Sequence, residues 1–355
     1  MHSAPFTIQR DLCPQPPEWA PRLLVVIDTE EEFDWGAEFS RSNTSVRSMR
    51  EIGRVQRLFD EYRITPTYVV DFPIVSQADG YRPLQEIHAS GRCLIGAHLH
   101  PWVNPPFEES VNRTNSFPGN LPRALEAEKL KVLGEMISDR FGSKPIVYKA
   151  GRYGLGGHTL CTLAEQGYEF DCSVCPYLDS SHEGGPNYAD WSSSPSWVGN
   201  DRQLLELPFT GGYAGHARRW GSIIHERASR PPLSHFRAVG ILARLDLVDK
   251  IYLSPEGFTT DEMIKLVQAL YKDGLRVFTF AFHSPSVEPG HTPYVRTGED
   301  LNEFLARCSE FFEFFMSKMG GVATTPLQIR EELVQAQKLA APLTPTLSPS
   351  GARAR

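Results

Sequence analysis

Short apolar runs separated by longer amphipathic stretches mark most of this chain. Leu23–Ile27, Thr67–Val70, Cys93–Ala97, Pro145–Tyr148, Phe170–Val174, Leu204–Leu207, Ile251–Leu253 and Val277–Phe282 are too short for helices, and they read as buried strands. Between several of them apolar residues recur at helical spacing, over Met49–Tyr62, Leu125–Phe141, His158–Gln166 and Thr260–Lys272. Strands alternating with helices predict parallel βαβ units. The number of runs predicts an α/β fold, a distorted (β/α) barrel of about seven to eight strands. In such a barrel chemistry gathers at the C-terminal strand ends.

Two stretches break the alternation. They are Pro105–Pro122 and the Ser-, Gly-, Pro- and Trp-rich Leu178–Asn200, each long enough to be a lid or binding loop. Glu299–Met319 carries Phe304, Leu305, Phe311, Phe312 and Phe315 as a core-facing helical stripe, and Pro326 marks a further helix start. The expected organisation is an N-terminal arm over 1–21, the barrel over 22–320, a C-terminal helix over 321–340 and a disordered tail over 341–355.

Composition narrows the function classes. Hydrophobic content of 41% and charged content of 22% are those of a soluble globular protein. A net charge of -7 without a long basic block excludes a nucleic-acid partner. No apolar run approaches a membrane span, and the Pro-rich start lacks an apolar signal core, so the expected location is cytoplasmic. Six scattered cysteines fit reduced thiols, and Cys172-Ser173-Val174-Cys175, a lone CxxC in an extended run, reads as structural. Oligomeric state leaves no trace in the sequence.

The strand ends carry the chemistry. Leu23–Ile27 runs into Asp28-Thr29-Glu30-Glu31-Glu32-Phe33-Asp34-Trp35, five carboxylates in seven residues. Such crowding is unfavourable unless cations or water attend it. Cys93–Ile95 leads into Gly96-Ala97-His98-Leu99-His100-Pro101-Trp102, where His98 and His100 share one face of an extended strand. Asp28 and Glu30 have the same spacing. Two imidazoles and a carboxylate suit zinc or a similar divalent ion, leaving one carboxylate as a base. Three further ends carry unusual polar residues: Lys149 and Arg152 after Tyr148, Asp171 within Phe170–Val174, and His283 after Phe282.

Taken in order, these motifs resemble the NodB-type polysaccharide deacetylases, carbohydrate esterase family four, and within it the WalW-type branch found near surface-polysaccharide genes. The resemblance covers roughly Arg22 to Tyr294. It rests on Asp28-Thr29-Glu30, Gly96 to His100, Tyr148 to Gly154, Asp171-Cys172-Ser173 and Phe282-His283-Ser284-Pro285. The pattern departs from the family at Thr29, where an aspartate is usual, at Trp102, where the second histidine is usual, and at Lys149, where arginine is usual.

The resemblance implies metal-dependent hydrolysis of an N-acetyl, or less often O-acetyl, group on a sugar or glycan precursor. Glu30, His98 and His100 would hold the metal, with zinc expected and cobalt, nickel, iron and manganese as alternatives. Asp28 would be the general base, oriented by Lys149 or Arg152. His283 would be the general acid, kept charged by Asp171. A backbone N–H of Tyr153 or Gly154 would meet the oxyanion. Trp35, Trp102 and Tyr153 would stack on the sugar. Two other readings are a hydrolase of small amides or ureides on the same fold, and a catalytically silent sugar-binding barrel.

Overall fold

The computed structural model describes residues 9–199 and 202–340; the tail expected over 341–355 lies outside them. Its centre is a run of parallel strands whose residues are almost wholly buried, as runs of Val, Ile, Leu and Phe require. In chain order the strands are β1 (Arg10–Leu12), β2 (Arg22–Thr29), β3 (Thr67–Val70), β4 (Leu94–Leu99), β5 (Val147–Ala150), β6 (Phe170–Asp171), β7 (Ser196–Val198), β8 (Leu204–Glu206), β9 (Gly211–Ala214), β10 (Asp249–Tyr252), β11 (Val277–His283) and β12 (Val322–Ala323). The main sheet has the spatial order β1-β7-β8-β6-β5-β4-β3-β2-β11, with β12 also paired to β2. The stretch from β8 to β11 is parallel throughout, and β7 and β1 add antiparallel strands at one edge.

β9 and β10 form a separate antiparallel pair. Single backbone bonds link this part to the other edge: Thr210 N–H donates to the Thr279 carbonyl, and Ala281 N–H to that of Leu253. The result is a curved β/α sheet in which isolated bonds, not a ladder, span the gap between β8 and β11.

The helices are α1 (Gly53–Glu61), α2 (Phe72–Ser76), α3 (Ala78–Ala89), α4 (Arg123–Phe141), α5 (Thr159–Glu165), α6 (Gly221–Ser229), α7 (Ala238–Arg244), α8 (Thr260–Lys272), α9 (Gly298–Glu313) and α10 (Pro326–Ala340). α8 and α9 each start on a capping box, Thr259 with Glu262 and Thr297 with Asp300. The phenylalanine stripe of α9 runs on through a π turn at Phe314–Lys318 and packs Phe311 and Phe312 on Phe280 of β11, at ring-centroid separations of 5.4 and 5.0 Å. Of the N-terminal stretch, Arg10–Leu12 is edge strand β1, and the Gln15 amide oxygen accepts from the N–H groups of Arg276 and Val277.

Candidate active site

Parallel strands in register bring their C-terminal ends together, and that places the polar strand ends side by side. Asp28 on β2 lies opposite His283 on β11, and His98 on β4 lies opposite Lys149 on β5. Glu30 and His100 follow one residue beyond β2 and β4. Asp28, Glu30, His98, His100 and His283 all line one cleft of about 380 Å³.

The histidines are locked. His98 Nδ1 lies 2.9 Å from the Lys149 carbonyl, and His100 Nδ1 lies 2.8 Å from Glu31 Oε2. Both Nε2 atoms therefore face Glu30 Oε2, each at 3.4 Å. Gly151 permits this close approach, because a Cβ there would stand 2.4 Å from the His100 ring. Burial keeps the His100 pKa below the ordinary imidazole range, so the ring is neutral and has a lone pair to offer. Glu30 is buried too. Its charge is nonetheless favoured, chiefly by the charged His283, and its other oxygen, Oε1, is buried without any hydrogen-bond partner. Three donor atoms converge on one point beside an unsatisfied carboxylate oxygen, which fits a divalent cation.

A shell of further groups fixes those side chains. Glu31 holds His100 and also accepts from Trp102 Nε1, at 2.8 Å each. Burial pushes the Glu31 carboxyl up to about 8, and that of neighbouring Asp71 well above its ordinary range. Another carboxylate–histidine grouping, Glu32, Glu288 and His291, has its acidic groups engaged by Ser45, Ser48 and Arg50.

Asp28 sits beside the cluster. Burial opposes its charge, but the Lys149 ammonium outweighs this, donating to both carboxylate oxygens at 2.6 and 2.7 Å. The result is a carboxylate held ionised, below its ordinary pKa. His283 Nε2 is 3.7 Å from Asp28 Oδ2. Burial also works against a charged His283, but Glu256, Glu30 and Asp28 more than offset it and raise its pKa to about 9. Glu256 is the main partner, 2.7 Å from Nδ1.

Several expected roles change hands. Asp171 does not touch His283. Buried at the end of β6, it accepts from the Ser173 hydroxyl, which in turn accepts from Ala150 N–H at 2.7 Å, so it braces the turn after Lys149. Burial raises its pKa together with that of its neighbour Glu206. Arg152 does not reach Asp28 and is bound to Glu183 and to Ser116. Trp102 is only 1% exposed and stacks on His100 at 4.3 Å, so it supports the cluster and offers no sugar platform. Gly154 N–H already donates to the Gly151 carbonyl, so it is not free to meet an oxyanion. Trp35 and Tyr153 do line the cleft, joined by Phe33, Phe39 and Tyr294. Arg152 and Tyr153 both have positive φ, 54° and 58°, a costly conformation for residues with a Cβ and one that collects at working sites.

Sequence reasoning missed Glu256 and the role of Glu31. Glu256 follows the run Ile251–Leu253 at a strand end, so the reasoning applied to the other ends would have found it. An inner lobe of about 190 Å³ opens behind Asp28 and His283, lined by Cys175, Leu178, Phe209, Tyr252 and Phe258 among others. The CxxC cysteines are free and buried, and burial pushes the Cys175 thiol up to about 12, so neither is a nucleophile.

No protein-family model and no curated protein sequence matches the chain. Solved structures do. A PuuE allantoinase aligns over 94% of this chain and 99% of its own, at 15% identity and a TM-score of 0.50. A protein assigned as a polysaccharide deacetylase in Pseudomonas aeruginosa PAO1 aligns over 93% and 96%, at 15% identity and a TM-score of 0.48. The chitin deacetylase of the fungal pathogen Colletotrichum lindemuthianum aligns over 88% and 87%, at 12% identity and a TM-score of 0.38. These likenesses concern the fold.

Proposed function

We propose that this chain, whose fold is of the NodB deacetylase type, is a metal-dependent hydrolase that removes an acetyl group from the nitrogen, or less often the oxygen, of a sugar or glycan precursor. The observation that carries the reading is the ion-paired Asp28–Lys149 couple standing between a raised-pKa histidine and three converging metal donors.

Glu30, His98 and His100 would hold the ion, zinc by the chemistry of the donor set. Once bound it would polarise the acyl carbonyl and acidify a water. Asp28, kept ionised by Lys149, accepts the proton of the attacking water. Tyr153 N–H would meet the developing oxyanion, since that of Gly154 donates to the Gly151 carbonyl. His283, protonated at neutral pH through Glu256, delivers a proton to the leaving amine or alcohol. Base and acid thus lie on adjacent strands with opposite charge, so neither needs to be recharged before attack. Trp35 and Tyr294, set edge-to-face with centroids 5.6 Å apart, form an aromatic wall for a pyranose.

Variants separate these roles. His98→Ala should lose bound metal and acetate release together. Asp28→Asn should keep metal and lose turnover by roughly a hundredfold or more, the scale of a general base. Full turnover in the Asp28 variant would remove the base assignment.

A further inference from the structure

The connection between β9 and β10, residues 215–248, is far longer than an antiparallel pair needs, since hairpin loops usually have about 2–5 residues. It folds into α6, α7 and short 3-10 turns at Arg218–Trp220 and Leu233–Phe236, packed on one another. Seven of the thirteen large apolar side chains that are exposed among the described residues lie on this one unit. Phe236 is 72% exposed, Trp220 65% and Leu245 62%. Single exposed apolar residues are ordinary, whereas a concentration of them marks an interaction surface.

Charge identifies the partner. The same stretch has six arginines against two acidic residues, Glu226 and Asp246, in a chain whose net charge is -7. Arg219, Arg227, Arg230, Arg237 and Arg244 are exposed. Arg230 pairs with Glu226, while the other four have no acidic partner among the described residues. Arginine and apolar residues share helix faces: Trp220, Ile223 and Arg227 at α6, and Arg237, Ile241 and Arg244 at α7. On such a face the arginine stems lie along apolar surface while the guanidinium groups reach outward.

We propose that the α6–α7 unit docks this protein on the surface of an anionic lipid bilayer. Trp220, Phe236 and Leu245 enter the interfacial layer, and the arginines meet lipid phosphates. A second copy of the chain fits worse, because a two-fold interface sets the patch against itself and its arginines against one another. The β9–β10 pair beneath the unit is four residues long, about 13 Å at the usual rise. Its other end supplies Tyr252 to the inner lobe of the cleft, so docking holds the site close to the membrane surface.

The test is co-sedimentation of the full chain with vesicles of phosphatidylcholine alone and of phosphatidylcholine with phosphatidylglycerol. Binding is expected only to the anionic vesicles and should weaken as salt rises. The double variants Arg237→Glu/Arg244→Glu and Trp220→Ser/Phe236→Ser, checked for unchanged thermal unfolding, should each bind at least tenfold more weakly. Both should keep wild-type hydrolysis of a small soluble substrate. Equal binding to both vesicle types, or variants that bind like wild type, would overturn the proposal. So would light scattering that shows wild-type dimers and monomeric variants, which would make the patch a self-interface.

Discussion

At the scale of single residues, what decides the site is which carboxylate faces which imidazole. Glu31 and Glu256 each lie 2.7–2.8 Å from a histidine Nδ1, and the two do different things. Glu31 orients the neutral His100 ring. Glu31→Gln should cost about 10–100-fold in metal affinity, the usual scale for a group behind a metal ligand, measured by competition with a chromogenic chelator. Glu256 keeps His283 protonated up to about 9. A raised pKa means that the acid form is present below that value and is lost as pH climbs through it. Glu256→Gln should therefore move the alkaline limb of the pH–rate profile to lower pH, toward the ordinary imidazole range of about 6.5. An unmoved limb would assign it to another group. The grouping of Asp28, Glu30, His98 and His100 was legible in the sequence because i, i+2 spacing at a strand end fixes a shared face. The partner of His283 was not, since Asp171 and Glu256 are both strand-end acids and only the sheet order separates them.

At the scale of elements, the long apolar strands and α4, α5 and α8 were legible from periodicity. The residues Phe72–Ala89 were not, because Pro73, Gly80 and Pro83 interrupt the pattern, although α2 and α3 form there. Asp71 rescues the first of them by capping it at the Ile74 N–H. The run Phe170–Val174 yields only two strand residues, since Ser173 turns back onto Asp171 and leaves the ladder. β1, β7 and β12 are too short to show any periodicity, and β9, Gly211-Gly212-Tyr213-Ala214, has no apolar run. The phenylalanine stripe of α9 takes the role periodicity gave it. Phe311 is fully buried among Phe280, Phe312 and Phe315. Phe311→Ala should cost about 3–5 kcal/mol of stability, read from the urea midpoint, with metal affinity kept in whatever fraction stays folded.

At the scale of the whole molecule, the loops that interrupt the barrel pattern close over the site. Arg152, at the rim of β5, is tied to Glu183 in the loop over Leu178–Asn200, and Glu183 is tied in turn to Arg113 in the other loop. Leu178, Ser180 and Phe117 from these loops line the cleft. No helix among the described residues is long and apolar enough to cross a membrane. The most direct test of the central claim is acetate release from a panel of N-acetylated sugars and oligosaccharides, by the purified chain, before chelation, after it and after return of a divalent ion. The account predicts release that stops on chelation and resumes with zinc or a similar ion. Release that chelation leaves untouched, or none with metal bound stoichiometrically while small cyclic amides are hydrolysed, would contradict it.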